Sequence, residues 1–110
     1  MYEQSPIALV RDRFELSDDD VASFCLKNHI RRMALFGSIV REDFRSESDV
    51  DVLVEFDPAH TPSLFKFSGM RLDLSELLGG KKVDLHTFKG LSKYIRDEVL
   101  SEAKVIYDEG

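Results

Sequence analysis

Seven residues, Val50-Asp51-Val52-Leu53-Val54-Glu55-Phe56, leave this chain few folds to choose from. They are rich in β-branched side chains and stop before Pro58, a pattern that predicts a strand. The near-continuous apolar character predicts a central strand with both faces covered, so other layers must pack against the sheet. Two acids break the run: Asp51 lies inside it and Asp49 immediately precedes it.

The flanking sequence supplies those layers. Ser17 followed by Asp18, Asp19 and Asp20 predicts a helix start, because a serine cap and first-turn carboxylates satisfy free amides and complement the helix dipole. That helix runs to about Asn28 with Val21, Phe24 and Cys25 inward. Arg31 and Arg32 lead into Met33-Ala34-Leu35-Phe36, a short buried strand ended by Gly37. Ser38 is read as the cap of a short helix reaching roughly Phe44, with a loop from Arg45 to Ser48. Pro62 to Leu78 reads as a helix with Phe67, Met70, Leu74, Leu77 and Leu78 on one face and Gly79 as its terminator. Lys81 to Thr87 predicts a third strand. Ser92 to Ser101 predicts a last helix with Ile95, Val99 and Leu100, and Val105 to Tyr107 a closing strand. The order is that of one small α/β or α+β domain over 17–110, whose strand directions periodicity leaves open. Residues 1–16, with one apolar cluster from Ile7 to Val10, form an N-terminal extension.

Charge narrows the partners. Fifteen basic and 21 acidic residues among 110 give a net charge of −6, which argues against a broad surface tracking a nucleic-acid backbone. A small anionic substrate stays open, because a few placed donors or a divalent cation reverse the local sign. The single cysteine, Cys25, has no partner for an internal disulfide and is read as packing in a reducing compartment. With no apolar run near ~20 residues and no basic leader at Met1, no membrane association is expected and the cytoplasm is the expected location.

The chemistry concentrates around Gly37-Ser38, then ten residues, then Asp49-Val50-Asp51. Side chains two apart on a strand share a face, so Asp49 and Asp51 project together ~6.6 Å apart along the backbone. Two like charges there repel by ~0.6 kcal/mol in water and ~2.5 kcal/mol at an effective dielectric of 20. A bound divalent cation, a basic partner or protonation of one carboxylate would compensate. Lys82-Val83-Asp84-Leu85 brings a third acid from another strand. If the two strands are neighbours, Asp84 joins an oxygen-rich cluster of the kind hard Mg²⁺ prefers. Gly37-Ser38 stands at a strand-to-helix turn, where a residue without a side chain lets amides approach a phosphate. Cation site and anion cradle together suit a metal-bound nucleoside triphosphate.

In these residues the chain resembles the polymerase-β superfamily of nucleotidyltransferases. Its size matches the minimal nucleotidyltransferases (MNT), which include MntA-type antitoxins paired with HEPN-domain ribonuclease toxins in type VII-like systems. The resemblance covers roughly Val21 to Tyr107. It implies a polymerase-β-like fold, a small mixed β-sheet flanked by helices. It further implies that Gly37 and Ser38 hold the triphosphate, that Asp49, Asp51 and Asp84 bind two Mg²⁺, with Asp49 and Asp51 catalytic, and that Arg41 touches phosphates. In that family's reaction an acceptor hydroxyl attacks the α-phosphorus of ATP and pyrophosphate leaves. Glu42 departs from the glycine common at that position, and residues 1–16 have no clear family counterpart. The function so implied is an antitoxin that transfers AMP from ATP to a hydroxyl of a partner HEPN toxin, expected to be a tyrosine. The alternatives are a binding module that neutralises the toxin by occlusion and a small-molecule nucleotidyltransferase.

Other candidates have plainer readings. Asp18, Asp19 and Asp20 fan around a helix and suit dipole compensation. Gly79-Gly80-Lys81-Lys82 lacks the spacing of a phosphate loop and reads as a helix stop. His86 shares a strand face with Asp84, while His29 and His60 have no convergent partners. Phe65 and Leu72 fall together, nearly opposite the core stripe of their helix, and predict either a protein contact or burial by the N-terminal extension.

Overall fold

In the computed structural model, residues 17–40 and 49–109 are described. The N-terminal extension, Arg41, the far end of the short helix expected to reach Phe44 and the loop to Ser48 lie outside the described residues.

Ser17 opens helix α1 (Asp18–Lys27) through a reciprocal cap. Its hydroxyl accepts from the Asp20 N–H at 3.1 Å, and its own N–H donates to Asp20 Oδ2 at 3.3 Å. Such a cap contributes ~1 kcal/mol. Strand β1 (Ile30–Phe36) begins three residues before the expected Met33. Arg31 and Arg32 concealed this start, because their charges lie at the solvated end of the sheet: Arg32 donates to Glu55 and to Asp108, each at 3.3 Å. Beyond β1 comes a 3₁₀ turn over Gly37–Val40, so Ser38 lies inside the turn rather than capping a helix.

Strand β2 (Val50–Phe56) is placed as expected. A short 3₁₀ turn over Pro58–His60 leads to helix α2 (Leu64–Leu77), capped by Ser63, whose hydroxyl accepts from the Lys66 N–H at 3.2 Å. Strand β3 (Val83–Thr87), helix α3 (Lys93–Glu102) and strand β4 (Lys104–Asp108) complete the described chain. None of the described helices is long and apolar enough to cross a membrane.

The strands form one sheet in the order β3-β2-β1-β4. β1 runs antiparallel to β2 and β4, whereas β2 and β3 are parallel, so the sheet is mixed. Alternation along the strands then divides the interior. Val50, Val52 and Val54 join Met33 and Leu35 beneath Phe24 and Cys25 of α1 and Met70 and Leu74 of α2. Each fully buried aliphatic side chain there contributes roughly 1.5–3 kcal/mol. On the opposite face a smaller cluster joins Ala34, Phe36 and Leu53 to Leu91 and to Val99 of α3. The expected apolar faces are narrower than the sequence suggested. Leu77, Ile95 and Leu100 are partly exposed, because α2 meets the sheet through Met70 and Leu74 and α3 through Val99. Phe65 and Leu72, 90% and 57% exposed, are covered by no described element.

Cys25 is fully buried, and burial, followed by the nearby Glu109 charge, pushes its thiol from 9.0 up to about 12. The folded chain therefore keeps this proton where the unfolded chain releases it. The associated stability is complete below pH 9.0 and declines as pH rises toward 12. Thermal melts of the protein and of Cys25→Ala between pH 8 and 10.5 should show the wild-type Tm falling more steeply above pH 9. Disulfide reagents should label the native thiol at least ~100-fold more slowly than the unfolded one.

Candidate active site

The alternation that sends Val50, Val52 and Val54 into the main core turns Asp51 and Leu53 to the other face of β2. The same rule on β3 sends Val83 and Leu85 inward and puts Asp84 and His86 beside them on that face. The strand registers bring these positions together. Asp51 pairs with Asp84 across the parallel β2–β3 ladder and with Phe36 across the antiparallel β1–β2 ladder. Phe36, Asp51 and Asp84 thus form a row over three strands, with neighbouring strands ~4.8 Å apart. One step along the same face, Ala34, Leu53 and His86 form a second row, and the Phe36 and His86 rings lie 5.5 Å apart at 58°.

Gly37 follows Phe36 directly with φ +74, in the left-handed region that glycine occupies without strain. A Cβ there would fall on the Asp51 carboxylate, so the absent side chain lets the Gly37-Ser38 turn lie against this acid. The Gly37 N–H donates to Glu102 Oε1 at 2.9 Å.

Asp49 sits just before β2, whose start is held by the Val50 N–H donating to the Lys82 carbonyl at 2.9 Å. Its Oδ2 lies 3.9 Å from Lys82 Nζ, an exposed pair worth at most ~1 kcal/mol. Of the expected site residues, then, Gly37, Asp51 and Asp84 come together, with Ser38 next in the turn, while Asp49 stands at the rim beside Lys82. Arg41 lies outside the described residues. Among the described residues, no three His, Cys, Asp or Glu are gathered into a finished metal cage. The donors nevertheless fit a hard cation: they are carboxylate oxygens from paired strand positions, beside a turn kept free of a side chain.

Sequence reasoning missed Glu102. Its signal was available: an acid at the last residue of α3, with no basic residue in that turn, sits at the end of a helix that disfavours negative charge.

The nucleotidyltransferase domain family matches residues 19–106. Over 78 residues the chain is 41% identical to the protein adenylyltransferase MntA of Thermococcus cleftensis, covering 71% of this chain and 74% of that protein. A solved structure assigned as a minimal nucleotidyltransferase superposes with a TM-score of 0.67 at 32% identity, covering 93% of this chain and 97% of the other. An MNT antitoxin in complex with the tri-AMPylated HEPN toxin of Shewanella oneidensis has a TM-score of 0.61 at 19% identity, covering 83% of this chain and 69% of that one, and shares the fold. A mixed sheet with a glycine turn packed on a strand acid, matched along most of its length, makes this chain a member of the nucleotidyltransferase domain family, of the minimal, polymerase-β-like kind.

Proposed function

We propose that this chain is the antitoxin of a toxin–antitoxin pair and a protein adenylyltransferase, moving AMP from ATP to a hydroxyl of a HEPN-domain toxin and thereby neutralising it. The observation that carries the reading is the lateral pairing of Asp51 with Asp84 beside the Gly37 turn. The 41% identity to a protein adenylyltransferase supports the reaction class, and the shared fold with an antitoxin bound to an AMPylated HEPN toxin supports the partner.

Asp49, Asp51 and Asp84 would hold two Mg²⁺, which neutralise phosphate charge and lower the pKa of an attacking hydroxyl when bound. Gly37 and Ser38 hold the triphosphate next to Asp51, so the α-phosphorus is presented where Asp84 approaches from the neighbouring strand. The acceptor hydroxyl, in this reading a tyrosine, comes from the partner. α3 packs on this face of the sheet through Val99, in a cluster with Ala34, Phe36 and Leu53.

The test is incubation of the full chain with the purified HEPN partner, Mg²⁺ and ATP labelled at the α-phosphate. Label should move to a tyrosine of the toxin while toxin activity falls. Neutralisation without label would overturn the catalytic reading in favour of occlusion, and label on a free alcohol with no partner present would favour a small-molecule transferase.

A further inference from the structure

Glu102 is the final residue of α3, at the helix end where the dipole disfavours a carboxylate. What it does there is structural and distant. Its Oε1 accepts the Gly37 N–H at 2.9 Å in a half-buried setting, across 65 residues of chain. The β1–β4 register explains why the two meet. Ala34 pairs with Val105 and Leu35 with Lys104. Two residues further along the same antiparallel progression, Gly37 faces Glu102. There the backbone of β1 has turned at φ +74 and the other segment is helical, so the strand ladder ends and the Glu102 carboxylate takes the Gly37 N–H.

From this geometry we infer that Glu102 is a positioning residue of the nucleotide site: it holds the Gly37 peptide, and with it Ser38, against Asp51. The inference rests on the transferase reading above and adds a residue to it. The hold is anchored at both ends. Glu102 is fixed by α3, whose last turn closes through the Ala103 N–H to the Val99 carbonyl at 2.9 Å, and by β4, which is bonded to β1. Gly37 has no room to slide, because the Asp51 carboxylate occupies the space a Cβ would take. A further consequence is selective. With its N–H donated to Glu102, Gly37 serves the triphosphate through conformation and clearance, and Ser38 is the next residue of the turn to offer hydrogen bonds.

The test compares the full chain with Glu102→Ala and Glu102→Gln, because glutamine retains an Oε1 acceptor and alanine does not. Hydrogen exchange at the Gly37 amide, read by NMR, should be about tenfold or more faster in the alanine variant and within threefold of wild type in the glutamine variant. The KM for ATP should rise about tenfold in the alanine variant, equal to ~1.4 kcal/mol, with kcat changed by less than threefold and glutamine restoring KM. An alanine variant with unchanged exchange and unchanged KM overturns the inference, as does a glutamine variant as impaired as alanine. If the alanine variant does not fold, the glutamine arm decides. A wild-type chain that neither binds nor turns over ATP would sink the transferase reading, whereas the exchange rates at Gly37 still decide whether Glu102 holds the turn.

Discussion

Asp51→Asn should lower AMP transfer by at least ~10³-fold while leaving the chain folded. The substitution keeps the shape of the side chain and removes its charge. Asp51 lies directly across the ladder from Asp84, and two carboxylates ~5 Å apart repel by ~0.8 kcal/mol in water and ~3 kcal/mol at an effective dielectric of 20. Removing one of these charges relieves that repulsion, while chemistry that needs a hard oxygen ligand suffers. Glu55→Gln is the control, because Glu55 lies on the same face of β2 and its exposed bond to Arg32 is worth ~1 kcal/mol or less. Its transfer rate should stay near wild type. Time courses of label on the toxin, paired with thermal melts, separate the cases. A variant at position 51 that melts early yet transfers normally would show the acid to be part of the scaffold instead.

Gly37→Ala should damage both stability and activity. The left-handed φ costs an L side chain roughly 1–2 kcal/mol. The added methyl must also displace the Asp51 carboxylate. A total of about 2 kcal/mol corresponds to a Tm lower by about 8–16 °C for a domain of this size. Displacing a reacting group's ligand by ~1 Å costs about 10²-fold in rate. Reading melts and label transfer on one preparation tests this, since the backbone pairing of the strands is unchanged and the chain should still fold in the cold. Activity close to wild type in Gly37→Ala would show that the turn and Asp51 do not act together.

Much of this was legible in the sequence because it depends on local rules. Val50 to Phe56 declared itself by β-branching, and Ser17 and Ser92 sit where hydroxyls accept first-turn amides. Strand alternation predicted a common face for Asp49 and Asp51, but Asp49 lies before β2 begins and stands beside Lys82. What could not be read was non-local. That β2 pairs parallel with β3 depends on how the α2 crossover packs, and no period in the sequence encodes it or the antiparallel pairing with β1. The early start of β1 was hidden by two arginines whose partners, Glu55, Asp108 and Glu109, belong to other strands or their ends. Ser38 looked like a cap because serine favours that position, whereas the turn began a residue sooner at Gly37. Glu102 was overlooked because its partner is an amide 65 residues away, though its misplaced charge was in view.

The parallel pairing that sets residue 51 opposite residue 84 also ties ligand capture to the fold. Neither strand alone makes the acidic platform; it exists only after the crossover helix has docked and the two edges have zipped. An unfolded chain consequently has nothing comparable with which to grip a ligand. Whatever is clasped between these strands must pull the conformational equilibrium toward the native state, by about 2.7 kcal/mol at a hundred times its Kd. In a domain this small, nucleotide supply and survival of the folded chain would then be coupled quantities.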